Sequence, residues 1–160
     1  MASGVAVPGI VEATDPAEFS AGRLLFEQYA RQLGVDLQFQ DFESELKQMQ
    51  SMYGPPSGCL LLARRDDAFV ACAALRRKSA TICEMKRLFV TEEGRGAGLG
   101  RCLANALIHK ASLLGYSAMV LDTLPGMSAA QALYRSLGFR ERSAYYHNPV
   151  PGVVYMELDL

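Results

Sequence analysis

The residues best suited to chemistry lie in one run, Arg87-Leu88-Phe89-Val90-Thr91-Glu92-Glu93-Gly94-Arg95-Gly96-Ala97-Gly98-Leu99-Gly100-Arg101. An apolar, strand-like stretch feeds a glycine-rich turn, and the turn opens a helix. Glycines let successive backbone N–H groups converge on an anion, and a helix N-terminus adds partial positive charge, so the run reads as a phosphate site. Two other glycine patterns fail here. The phosphate loop G-x-x-x-x-G-K-[ST] needs a lysine that follows none of these glycines. The dinucleotide fingerprint G-x-G-x-x-G, started at Gly96, meets Arg101 where its last glycine belongs, although Asp122 mimics the ribose-binding acid.

Cys59, Cys72, Cys83 and Cys102 form no C-x-x-C pair, and His109 and His147 have no partners at metal-ligand spacing, so no metal site is expected. Buried thiols in a reducing cytosol are the simpler reading. Sixteen Lys+Arg against seventeen Asp+Glu give a net charge of −1, which argues against binding nucleic acid through overall charge. The balance is uneven along the chain: −5 over residues 1–50, +3 over 51–100 and +1 over 101–160. No apolar run is long enough to span a membrane, and the start, broken by Pro8 and Gly9, is a poor signal peptide.

These residues need a scaffold, and 160 residues suit a single domain, 1–160. A short strand is expected at 9–13. Asp15-Pro16 starts a helix that runs to Gly34, and a second helix spans about 41–52. Strands follow at 59–63, 69–75 and 81–90, joined by polar turns at 64–68 and 76–79 in which the arginines are expected to be solvated. Next come a helix at 98–114, a strand at 117–122, a helix at 128–137 and strands at 139–146 and 153–158. The order β-α-α-β-β-β-α-β-α-β-β is that of an α+β (mixed α/β) domain.

Arg95, Gly98 and Gly100 satisfy [Q/R]-x-x-G-x-[G/A], and here the sequence closely resembles the GNAT superfamily of acetyl-CoA-dependent N-acetyltransferases. "CEMKRLFV" is similar to that family's fourth strand, "RGAGLGRCLANALIHKA" to its pyrophosphate loop and following helix, and "AAQALYRSLGF" to its A-x-x-L-Y-x-x-x-G-F segment. The resemblance implies a central mixed sheet of six to seven strands flanked by about four helices, with central strands 81–90 and 117–122 splayed apart. It implies acetyl-CoA as co-substrate without a metal, and the backbone from Arg95 through Gly96, Ala97, Gly98, Leu99, Gly100 and Arg101 around its pyrophosphate. Leu88, Phe89 and Val90 would meet the pantetheine arm through their main chain, with an N–H near Leu88 polarising the thioester carbonyl.

By the same resemblance Tyr134 is the general acid for the departing thiolate, against a simpler reading as a packed tyrosine. Glu84, eleven residues before Arg95, is the general base. A partly apolar cleft would raise its pKa, and the alternative is a carboxylate paired with Arg87 or Lys86. Met127 stands where many members carry asparagine, which puts the coenzyme contacts of that loop in doubt. Tyr145, Tyr146, His147 and Asn148 fall where the family places a substrate-side loop. The implied activity is direct acetyl transfer to a primary amine in a ternary complex, in the cytoplasm, with neither nucleic acid nor membrane as partner and a homodimer left open. The −5 segment suggests a small cationic amine as acceptor, beside an amino acid or a protein terminus. A non-catalytic acyl-CoA sensor is the alternative.

Overall fold

The structure, a computed structural model, describes residues 9–34, 36–37 and 41–160. The stretch weighed as a signal peptide lies almost entirely outside them, at 1–8. The described chain forms β1 (Ile10–Glu12), α1 (Pro16–Leu33), α2 (Phe42–Lys47), α3 (Met49–Met52), β2 (Cys59–Arg65), β3 (Ala68–Arg77) and β4 (Ile82–Val90), then α4 (Leu99–Leu113), β5 (Ala118–Thr123), α5 (Ser128–Ser136), β6 (Arg140–Arg142) and β7 (Val154–Asp159). One seven-stranded sheet runs β1-β2-β3-β4-β5-β7-β6. Only β4 and β5 pair in parallel, as the intervening α4 crossover requires; the other neighbours are antiparallel.

Alternation along the strands divides the core in two. Cys83, Met85, Met119, Leu121 and Met156 face α4 with Leu103 and Leu107. Leu60, Leu62, Cys72, Ala74 and Phe89 face Phe19, Leu25 and Phe26 of α1 and Met49 of α3. A capping box starts α1: Asp15 accepts from the Glu18 N–H at 2.8 Å, and the Glu18 carboxylate accepts from the Asp15 N–H at 3.2 Å. At Gly22 a Cβ would stand 2.6 Å from a Leu60 methyl, so the missing side chain is what lets α1 lie this close to β2.

Three elements differ from the sequence expectation. The helix expected over 41–52 is interrupted at Gln48, whose φ of −114° and ψ of 19° leave the helical region. The strand expected over 139–146 pairs with β7 only at Arg140–Arg142, so Tyr145 and Tyr146 are released into a loop. Arg76, expected in a solvated turn, lies within β3 and joins a part-buried ion pair with Glu84.

Two irregularities of β4 open the sheet. It pairs with β5 only through Ile82, Cys83 and Glu84, opposite Ala118, Met119 and Val120; beyond Glu84 the strands part. On its other edge, Arg87 and Leu88 together oppose Ala73, a bulge in which Arg87 takes φ = 60°. The Arg87 carbonyl, turned from the ladder, accepts from the Cys72 thiol at 3.3 Å.

Candidate active site

The gap between β4 and β5 is a cleft lined by Met85, Lys86, Arg87 and Leu88 on one wall and Asp122, Thr123 and Leu124 on the other. Tyr29 and Leu33 of α1, Tyr134 of α5, Met127 and Asn148 close its sides. A groove continues from it past Leu88, Phe89 and Val90 to Arg95 and Gly100, flanked by 126–130 and Leu133. Of the sequence-expected residues, Arg95 and Gly100 line the outer groove, Leu88, Phe89 and Val90 its floor, and Tyr134 the inner cleft, while Glu84 lines neither.

The outer end is built for an anion. Gly96 and Gly98 have φ of 89° and 71°, the left-handed region that glycine enters without strain. Gly98 is the N-cap of α4 and supplies no side-chain cap. No N–H from Gly96 through Arg101 is hydrogen-bonded to a described residue; the first inward bond is from Cys102 N–H to the Gly98 carbonyl. Six donors without a partner among the described residues, at the start of a fifteen-residue helix, suit an anion in charge and hydrogen-bond sense. Further in, the Thr123 hydroxyl is buried with no hydrogen-bond partner among the described residues, a donor left for a bound group.

Tyr134 is buried against Phe139, edge-on with centroids 5.7 Å apart. Its hydroxyl makes no hydrogen bond to a described residue while its side chain borders the cleft. Burial pushes its pKa well above the ordinary value of 10, with smaller contributions from Tyr29 and Asp122, so it remains a neutral donor throughout the working range.

Glu84 is almost fully buried at the last β4–β5 pair, where the strands begin to part. Arg76 Nε donates to its Oε1 at 2.7 Å and the Tyr145 hydroxyl donates to its Oε2 at 2.5 Å. Burial alone would raise its pKa, but Lys86, Arg76 and the Tyr145 hydroxyl together hold it below the ordinary 4.5. This corrects two expectations: the pKa is lowered rather than raised, and the partner is Arg76 rather than Arg87 or Lys86. Arg87 is taken by Glu45 of α2, through bonds of 3.0 and 2.7 Å, while Glu45 also accepts from Tyr53 at 3.0 Å.

The loop after β6 brings three residues back to the cleft. Tyr146 and Asn148 Nδ2 both donate to Asp122, the latter at 2.9 Å. Tyr145 and Tyr146 each pack edge-on against Tyr155, with centroids 5.5 and 5.9 Å apart, and lie tilted against each other at 5.4 Å, while the Lys78 ammonium lies 5.3 Å from the Tyr145 ring centre. His147 is exposed on this loop. Lys86 and Asp122, given no site role from the sequence, also line the cleft. The signal for Lys86 was its two-residue spacing from Glu84, which puts both side chains on one face of β4. Among the described residues no cluster of three or more metal-ligating side chains exists, and no helix is long and apolar enough to cross a membrane.

Residues 23–139 match the family model for the acetyltransferase (GNAT) family. An N-acetyltransferase of Schizosaccharomyces pombe is 42% identical over 91% of this chain and 90% of its own length. Human N-acetylaspartate synthetase is 35% identical over 62% of this chain, a stretch that makes up 33% of that protein. A Salmonella typhimurium structure determined with acetyl-CoA as its cofactor superposes with a TM-score of 0.65 over 94% of this chain and 93% of that one, at 19% identity. With the seven-stranded mixed sheet, the splayed β4 and β5 and the open glycine loop already in place, these matches make the chain a member of the acetyltransferase (GNAT) family of enzymes.

Proposed function

We propose that the protein transfers an acetyl group from acetyl-CoA to a primary amine by direct attack in a ternary complex. The observation that carries this reading is the single channel joining an anion-binding loop to a buried hydroxyl donor and a polar chamber. Bound acetyl-CoA supplies the activated thioester. The N–H groups from Gly96 to Arg101 hold its pyrophosphate, with Arg95 beside them. The main chain of Leu88, Phe89 and Val90 aligns the pantetheine arm as an added strand would, and an N–H near Leu88 polarises the thioester carbonyl.

Tyr134 donates a proton to the coenzyme sulfur as the thiolate departs. Its raised pKa keeps the proton in place until then. Glu84, ionised at neutral pH, accepts the amine's proton through the Tyr145 hydroxyl or a water, and Arg76 keeps the carboxylate charged and oriented. Holding both substrates in one cleft supplies much of the rate. Cys72 and Cys83 are unsuited to a covalent route. Burial pushes both thiols up, Cys83 to about 12, so neither offers a thiolate at neutral pH.

The test is thiol release from acetyl-CoA with a panel of amines, repeated with Tyr134→Phe. Coenzyme affinity should persist while kcat falls by about two to four orders of magnitude, the usual contribution of a positioned acid. An unchanged kcat and pH profile would remove Tyr134 from the reaction. Tight coenzyme binding with no turnover on any amine would make the protein an acyl-CoA sensor.

A further inference from the structure

We propose that the cleft accepts an amine that also carries a carboxylate, an amino-acid-like acceptor, and that Lys86 is the residue that binds this carboxylate. The inference rests on the acetyl-transfer reading and specifies its acceptor. Lys86 is 9% exposed, on the same face of β4 as Glu84, and borders the cleft. Its ammonium forms no hydrogen bond or ion pair with any described residue. The charges of Glu84 and Glu45 act on it without bonding it, and proteins keep a buried ammonium with no bonded partner where a ligand completes it.

The surrounding charges are already committed. Glu84 is bound by Arg76 and Tyr145, and Glu45 by Arg87 and Tyr53. Asp122, on the opposite wall, accepts from Tyr146 and Asn148 and makes no ion pair with Lys86. One cavity therefore holds a cation and an anion on facing strands that do not neutralise each other. A zwitterion fits this arrangement, with its ammonium toward Asp122 and its carboxylate toward Lys86. Such a site disfavours the purely cationic acceptor suggested by charge distribution along the chain, since the Lys86 ammonium repels a second positive charge and Glu45, one of that segment's acidic residues, is taken by Arg87. It also separates free amino acids from protein termini, whose α-carboxyl is tied up in a peptide bond. The strong desolvation of Lys86, with its pKa lowered to about 8, agrees with a charge awaiting a partner.

The experiment compares the common free L-amino acids with their α-amides in thiol release, and measures direct binding of the best pair by calorimetry to the CoA-bound protein. Wild type should prefer the free acid, and Lys86→Met should shrink the amide-to-acid ratio of KM, and of Kd, by about 10- to 100-fold, the usual range for a lost charge-assisted hydrogen bond. Taking a ratio within each variant cancels differences in amine basicity and any general loss of activity. Lys86→Arg should restore the preference, since it keeps the charge but cannot act as a base. Equal ratios in wild type and Lys86→Met, a best acceptor without a carboxylate, or no binding of any free amino acid would overturn the assignment. So would folded Lys86→Met and Lys86→Arg proteins that both lose turnover on every amine, which would make Lys86 the base. Turnover on neutral amines alone would leave acetyl transfer standing while this inference fell.

Discussion

Replacing Glu45 by leucine tests how the β4 bulge is held. Glu45 and Arg87 are 3% and 7% exposed and share two hydrogen bonds, so leucine strands a guanidinium with no carboxylate in reach and leaves the Tyr53 hydroxyl without its acceptor. Breaking a buried pair from one side costs about 3–5 kcal/mol. A domain whose total stability is about 5–15 kcal/mol survives that loss, but with a midpoint displaced far enough to measure. Replacing both ions by apolar residues removes the stranded charge, so Glu45→Leu with Arg87→Met should recover most of the loss. The assay is urea denaturation followed by two independent probes, with the slope checked for constancy, alongside coenzyme binding. The single variant should also weaken coenzyme binding, because Arg87 precedes Leu88 on the channel floor; stability alone would not require that. Buried Glu45 carries a pKa held below 4.5 by Arg87 against the opposing effect of burial, so the pair's contribution is complete above that pH and lost as acid protonates the folded carboxylate. A loss under about 1 kcal/mol for Glu45→Leu, or a double variant no more stable than the single, would refute the reasoning, since the expected penalty is several-fold larger.

Lys86→Met should be more stable than wild type at neutral pH. Depression of the folded pKa from 10.5 to about 8 corresponds to a charge-burial penalty of roughly 3 kcal/mol. The penalty is full below pH 8 and relieved as pH rises toward 10.5, so wild-type stability should gain on the variant over that window in calorimetric scans. Gly98→Ala should weaken coenzyme binding and cost about 1 kcal/mol of stability, because its left-handed φ strains any side chain although a Cβ there would meet nothing within 4 Å. Cys72→Ala should destabilise by about 1–3 kcal/mol in denaturant titration by orphaning the Arg87 carbonyl, and Cys72→Ser should recover part of that.

The elements with strong local signals were legible in the sequence. Asp15-Pro16 and Gly34 bracket α1, and the apolar runs at 59–63 and 69–75 match the inner parts of β2 and β3. The glycine loop was readable because its function depends on backbone conformation, which glycine reports directly. What stayed hidden depends on long-range partners. Nothing adjacent to Arg87 signals a left-handed residue; Glu45, 42 positions away, supplies its buried partner. For Glu84, read as the general base, the alternative was a carboxylate paired within its own strand, whereas the β3–β4 register sets Arg76 opposite it. Phe139–Tyr146 has strand-like composition, but β7 offers pairing only to its first part, and the tyrosines gain more by packing on Tyr155 and hydrogen-bonding across the cleft.

The central claim is that the β4–β5 channel brings acetyl-CoA and an amine together for direct transfer. Initial rates of thiol release, with acetyl-CoA and the best acceptor varied together, test it most directly. The account predicts intersecting double-reciprocal lines, stoichiometric N-acetylated product and no acetyl-enzyme when acetyl-CoA is supplied alone. Parallel lines with an acetylated cysteine, or no acceptor-dependent release from a protein that binds the coenzyme tightly, would contradict it.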